Sequence, residues 1–135
     1  MPITRCVLSG SYRRDPDGLQ REYRELVTAG CQVLSPHRLQ LIDPQADFVK
    51  DEAEAGMSEE QLEAHHLLAL RQSDFMWLHA PAGHIGPSAA LEVGYALACQ
   101  KPIFSKHAPE EAVFRSFVTV VPSVFMALEA LNARL

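Results

Sequence analysis

The chain has 135 residues, 47% of them apolar, and a formal charge of −5. That length supports one domain with a real core and leaves little room for a second. The acidic balance and the lack of a basic tract argue against bulk nucleic-acid binding, and no apolar run is long enough for a membrane helix. Met1–Arg5 lacks the long apolar segment of a signal peptide, so the chain reads as cytoplasmic.

In chain order, Ile3–Leu8 reads as a first buried strand, closed by the small-residue turn Ser9-Gly10-Ser11. Asp15-Pro16-Asp17-Gly18 reads as a turn. A helix follows from Leu19 to about Ala29, with Leu19, Tyr23, Leu26 and Val27 as its apolar stripe and Gly30 as its stop. Gln32–Leu34 is a short second strand ended by Ser35-Pro36-His37. Residues 38–56 show the least periodicity and read as a binding loop or lid, with room for a short helix. Ser58 and Gln61 resemble a capping box for a helix running to about Gln72.

Asp74–Leu78 is the third strand, with Phe75 and Trp77 in the core and Asp74 structural. His79–Pro87 is a loop rich in Gly and Pro. Ser88–Ala98 is a helix of Ala and Leu, with Pro87 suited to its first turn. Lys101–Ser105 is a fourth strand. A short helix starts at Pro109, and Phe117–Val121 gives a fifth strand. The last helix follows Pro122, from Ser123 to about Arg134. Cys6, Cys31 and Cys99 are odd in number and distant in sequence. They read as buried free thiols.

Strands alternating with helices predict a single α/β domain over 1–135. It is a three-layer sandwich with helices on both faces of a five-stranded, mostly parallel sheet. In such sheets ligands bind at the carboxyl ends of the strands. Four groups converge there. The first is Ser9, Gly10, Ser11, Tyr12 and Arg13, where small residues admit a ligand to the backbone. Arg13 or Arg14 can hold a phosphate, and Tyr12 can meet a base or sugar. The second is His37, suited to a base or an anion. The third is Glu63 and His66, one face of a helix, with His65 beside them. The fourth is His84, Gly86, Ser88 and Glu92. Glu92 is the one acid in an apolar segment and must face solvent, find a partner or shift its pKa. GxGxxG, the P-loop lysine, GxSxG, CxxC and HExxH are all absent, so neither a Rossmann fingerprint nor a metal site is expected.

Phe75–Ser105, above all Glu92-Val93-Gly94-Tyr95-Ala96-Leu97 followed by Lys101-Pro102, resembles the nucleoside 2-deoxyribosyltransferase superfamily. That group includes the 2'-deoxynucleoside 5'-monophosphate N-glycosidases and bacterial relatives with a similar Gly83-His84-Ile85-Gly86 loop. Ser9-Gly10-Ser11 and Asp74 match as well. The resemblance implies a flavodoxin-like (Rossmann-like) fold of strand order 2-1-3-4-5. It implies homodimers or higher homo-oligomers, with exposed apolar groups on the Ser88–Ala98 helix or the last helix as candidate contacts. It also implies a small-molecule nucleoside or nucleotide as partner, with no cofactor.

The resemblance casts Glu92 as the nucleophile at the anomeric carbon, and the strand-one turn as the holder of sugar or phosphate. The family's second acid differs here. The transferases carry an aspartate near the place of Gly86. The monophosphate hydrolases carry one on the helix before strand three, where His66 stands with Glu63 one turn earlier. His66 with Glu63 is therefore the acid/base candidate. The expectation is cleavage or transfer of an N-glycosidic bond. The alternatives are a non-catalytic sensor of a nucleotide or nucleotide sugar, and a structural protein that kept only the fold.

Overall fold

The computed structural model describes residues 3–36 and 56–134. His37 and nearly all of the aperiodic segment expected to form a loop lie outside the described residues. The elements are β1 (Arg5–Gly10), α1 (Pro16–Thr28), β2 (Gln32–Ser35), α2 (Glu59–Gln72), β3 (Phe75–His79), α3 (Pro87–Ala98), β4 (Ile103–Ser105), α4 (Ala112–Arg115), β5 (Thr119–Val120) and α5 (Val124–Asn132). The five strands form one sheet of order β2-β1-β3-β4-β5, with every pairing parallel. This is the expected three-layer α/β arrangement.

Alternation along β3 divides the core. Phe75 and Trp77 face α1 and α5, beside Cys6, Leu8, Leu19, Leu26, Phe104 and Val124. Phe75 and Phe104 meet edge to face, with ring centroids 5.8 Å apart. Met76 and Leu78 face α2 and α3, beside Val7, Leu70, Ala89 and Val93. Burying each such large side chain contributes roughly 1.5–3 kcal/mol. Asp74 Oδ2 accepts the Arg5 N–H at 2.8 Å, which ties the starts of β1 and β3 together. Cys6 and Cys31 are buried free thiols joined by a hydrogen bond. That bond, then burial, pushes the Cys6 thiol up, whereas Cys99 is only half-buried.

Several boundaries differ from expectation for local reasons. Asp15–Gly18 opens α1 rather than forming a separate turn: Pro16 takes the first helical position and Asp15 Oδ1 accepts the Gly18 N–H at 3.1 Å. Within α1, Glu22 is buried and Val27 is 51% exposed, so the inner stripe is Leu19, Glu22 and Leu26. The short helix begins at Ala112 rather than Pro109, because the Glu110 N–H goes to the Gly83 carbonyl at 2.8 Å. At α2 both halves of the capping box form, with Gln61 N–H on Ser58 Oγ and Ser58 N–H on Gln61 Oε1.

β1 runs two residues past Leu8, and His79 is the last residue of β3 rather than the first of the loop. Gly10 pairs with His79 in register. Gly10 adopts φ +137, and a Cβ there would lie 2.0 Å from the His79 carbonyl oxygen. Close approach and backbone conformation both demand glycine. Gly10→Ala should therefore cost about 3 kcal/mol, from combined strain and overpacking. Chemical denaturation measures it, and a loss under about 1 kcal/mol would contradict this account of the β1–β3 contact.

Candidate active site

The carboxyl ends of β1, β2 and β3 meet α2 and α3 around a cavity of about 720 Å³. It sits where the connections from β1 diverge, the switch point of a sheet of this order. Gly10, Ser11, Tyr12, Arg13 and Arg14 line one side. His84, Gly86, Ser88 and Glu92 line another, and Glu63 and His66 a third. The candidate residues from three of the four sequence groups thus converge. Ser9 lies just beneath the lining, buried and bonded to His66. His37 lies outside the described residues.

Glu63 and His66 stand one turn apart on α2, and Glu92 projects from the second turn of α3. Glu92 is 7% exposed. Burial raises its carboxyl above the ordinary range, against hydrogen bonds from Glu63 and Ser9 that pull the other way. Burial, the hydrogen bond to Glu92 and the charge of Glu92 push Glu63 up to about 8. Both shifts favour a proton held within the pair.

His66 is buried, and that burial pushes its imidazole down to about 4, with Glu63 opposing and His65 assisting. The ring is neutral at pH 7. Its Nε2 lies 2.7 Å from Ser9 Oγ and its Nδ1 2.7 Å from Ser35 Oγ. The neutral ring carries one N–H, so one serine accepts from it and the other donates to the bare nitrogen. Ser35, His66 and Ser9 thus form one hydrogen-bonded chain. His66 Nε2 also lies 3.4 Å from Glu92 Oε1, a polar contact rather than an ion pair because the ring is neutral.

Sequence reasoning overlooked Ser35. It singled out Ser35-Pro36-His37 but assigned the contact to the histidine. It also placed Glu63 beside His66 without seeing that Glu63 reaches Glu92. Only the spacing of Glu63 and His66 hinted at a shared face.

An open parallel sheet of this order, with two carboxyl groups at its switch point, defines a flavodoxin-like α/β protein with a cavity at the strand ends. No family model matches the chain, and no curated protein matches its sequence. Among solved structures it is similar to the Clostridium botulinum CMP N-glycosidase BcmB. The TM-score is 0.60 over 98% of this chain and 100% of that one, at 15% identity. The likeness is one of fold. Among the described residues no helix is long and apolar enough to cross a membrane.

The carboxyl pair predicts a pH-dependent stability. The folded value for Glu63, about 8, lies above its ordinary 4.5. The fold therefore holds this proton more tightly than the unfolded chain does. Its stabilising contribution is complete below 4.5 and is lost as pH rises through 8. Glu63→Gln removes that loss. Thermal melts of the two proteins should diverge in favour of the variant from pH 5.5 to pH 9, and parallel curves would show that Glu63 carries no shifted proton.

Proposed function

We propose that the protein cleaves or exchanges the N-glycosidic bond of a nucleoside or nucleotide. The observation that carries this reading is the pairing of half-buried Glu63 with buried Glu92 at the cavity, both carboxyls shifted up. The fold shared with a CMP N-glycosidase supports it.

Glu92 attacks the anomeric carbon, and the bond from that carbon to the base breaks with its electron pair on the base. Glu63 delivers its proton to the departing base. The product is a glycosyl ester on Glu92. Glu63, now a carboxylate, takes a proton from water as the water attacks the anomeric carbon, or a second base attacks in its place, and the ester bond to Glu92 breaks with its electron pair on the Glu92 carboxylate. His66 serves as a brace rather than a proton donor. Its neutral ring, held between Ser9 and Ser35, aims Ser9 at Glu92. Arg13, Arg14 and the first N–H groups of α3 suit a phosphate, and Ser11, Tyr12, His84, Gly86 and Ser88 suit the sugar and base.

Incubation with a panel of nucleosides and nucleoside 5'-monophosphates should release free base, read by chromatography. Glu92→Ala should abolish release. Glu63→Gln should lower kcat by roughly 10²–10⁴ on natural bases and by much less on a base that leaves without a proton. The rate should fall as pH rises through about 8, where Glu63 loses its proton. Full activity of Glu92→Ala would end the proposal.

The same reading includes self-association. Leu91, 55% exposed, forms an outward stripe on α3 with the exposed Gly94 and Ala98. Small and apolar residues at this spacing allow helices of two copies to pack closely. Light scattering should give a dimer or larger for the native chain and a monomer for Leu91→Glu. A native monomer would remove self-association from the reading.

A further inference from the structure

The register of the sheet breaks between β1 and β2, and the break falls beside the site. Cys6 pairs with Val33, but Val7 pairs with Ser35, so β2 carries one extra residue, Leu34, opposite β1. Two residues against one is the count of a β-bulge. Side chains alternate between faces along a regular strand, so an unbroken β2 would put Ser35 on the same face as Val33. Val33 packs on the α1 side of the sheet, beside Cys6 and Leu8. The bulge turns Ser35 instead to the face of its partner Val7, which packs with residues of α2 and α3. Leu34 packs against the same cluster. Ser35 is thereby 2% exposed and stands in the wall of the cavity.

There it meets His66. Ser35 Oγ lies 2.7 Å from Nδ1, and Ser9 Oγ lies 2.7 Å from Nε2. Burial keeps the ring neutral at pH 7, so one nitrogen carries a proton and the other is bare. These two hydrogen bonds by themselves permit either arrangement. Glu92 distinguishes them, because its Oε1 lies 3.4 Å from Nε2. A bare Nε2 would set its lone pair against an ionised carboxylate. It would also take the Ser9 hydroxyl proton that otherwise serves Glu92. A protonated Nε2 does neither: it donates to Ser9 Oγ and turns an N–H toward Glu92. Nδ1 is then the bare nitrogen, and the Ser35 hydroxyl is the donor beside it.

We propose that Ser35, re-aimed by the β2 bulge, is a positioning residue that donates to His66 Nδ1 and so holds the ring with its N–H toward Ser9 and Glu92. Ser35 acts on the nucleophile through His66 and Ser9. Without its hydroxyl the bare nitrogen has no donor, the ring loses the contact that fixes its orientation, and the groups around Glu92 are less often placed for attack. The direction of the chain rests on the function proposed above, which takes Glu92 as an ionised nucleophile; the bulge and the Ser35–His66 contact do not.

Ring-nitrogen NMR of the native protein at pH 7 should show His66 protonated at Nε2 and bare at Nδ1. A proton on Nδ1 would overturn the inference without any variant. In Ser35→Ala the Nδ1 resonance should move to the position of a nitrogen that has no donor, and Ser35→Thr, which keeps the hydroxyl, should retain the native position. For the nucleoside or nucleotide cleaved fastest, Ser35→Ala should lower kcat about tenfold while KM changes less than about threefold. With His66 replaced, Ser35 has nothing to act through. Adding Ser35→Ala to His66→Ala should therefore lower kcat less than about twofold further. An unmoved Nδ1 resonance, an unchanged kcat in Ser35→Ala, or fully additive losses would each overturn the inference. If the native protein releases no base from any nucleoside or nucleotide, the glycosidase reading falls, while the ring-nitrogen spectra still decide whether Ser35 donates to His66.

Discussion

A buried carboxyl group under a cavity wall is the constraint on which the rest of the site depends. Glu92 loses its water and must be compensated from within, since an unpaired buried charge costs several kcal/mol. The compensation comes from Ser9 on β1 and Glu63 on α2. Ser9 is in turn oriented by His66, which is fixed by Ser35 at the end of β2. No single element can supply these groups. They meet because the order β2-β1-β3 puts the strand ends side by side and α2 and α3 pack on the same face of the sheet.

Burial shifts both carboxyl groups up, and the hydrogen bond and charge of Glu92 shift Glu63 further. The proposed mechanism uses one as the acid and the other as the nucleophile. Such an arrangement strains stability in favour of chemistry, as strained sites commonly do.

The opposite face of the sheet repeats the theme with a different outcome. Glu22 is as buried as Glu92. It is satisfied by two N–H donors, from Trp77 and His79, rather than a shared proton, so its carboxyl is shifted down rather than up. The same side-chain type is tuned in opposite directions by what β3 and α2 present to it. β3 is central to both, since it places Trp77 and His79 on one face and leads into the loop and helix that carry Glu92 on the other.

The sequence by itself determined the alternation of strands and helices, the capping box at Ser58, the proline-opened helix at Pro87 and the choice of Glu92, Glu63 and His66 as residues to watch. These are local properties: periodicity, caps and an acid out of place among apolar neighbours are readable within a few residues. It misjudged Asp15–Gly18, Val27 and His79, because whether a polar group caps a helix, faces water or is buried depends on what lies opposite. The tertiary structure alone decided that Ser9, His66 and Ser35 form one hydrogen-bonded chain, that Glu63 pairs with Glu92, and that Glu22 belongs inside. Each of these rests on contacts between residues at least 29 positions apart, and the energy of such contacts comes from burial that only the packed sheet and helices create.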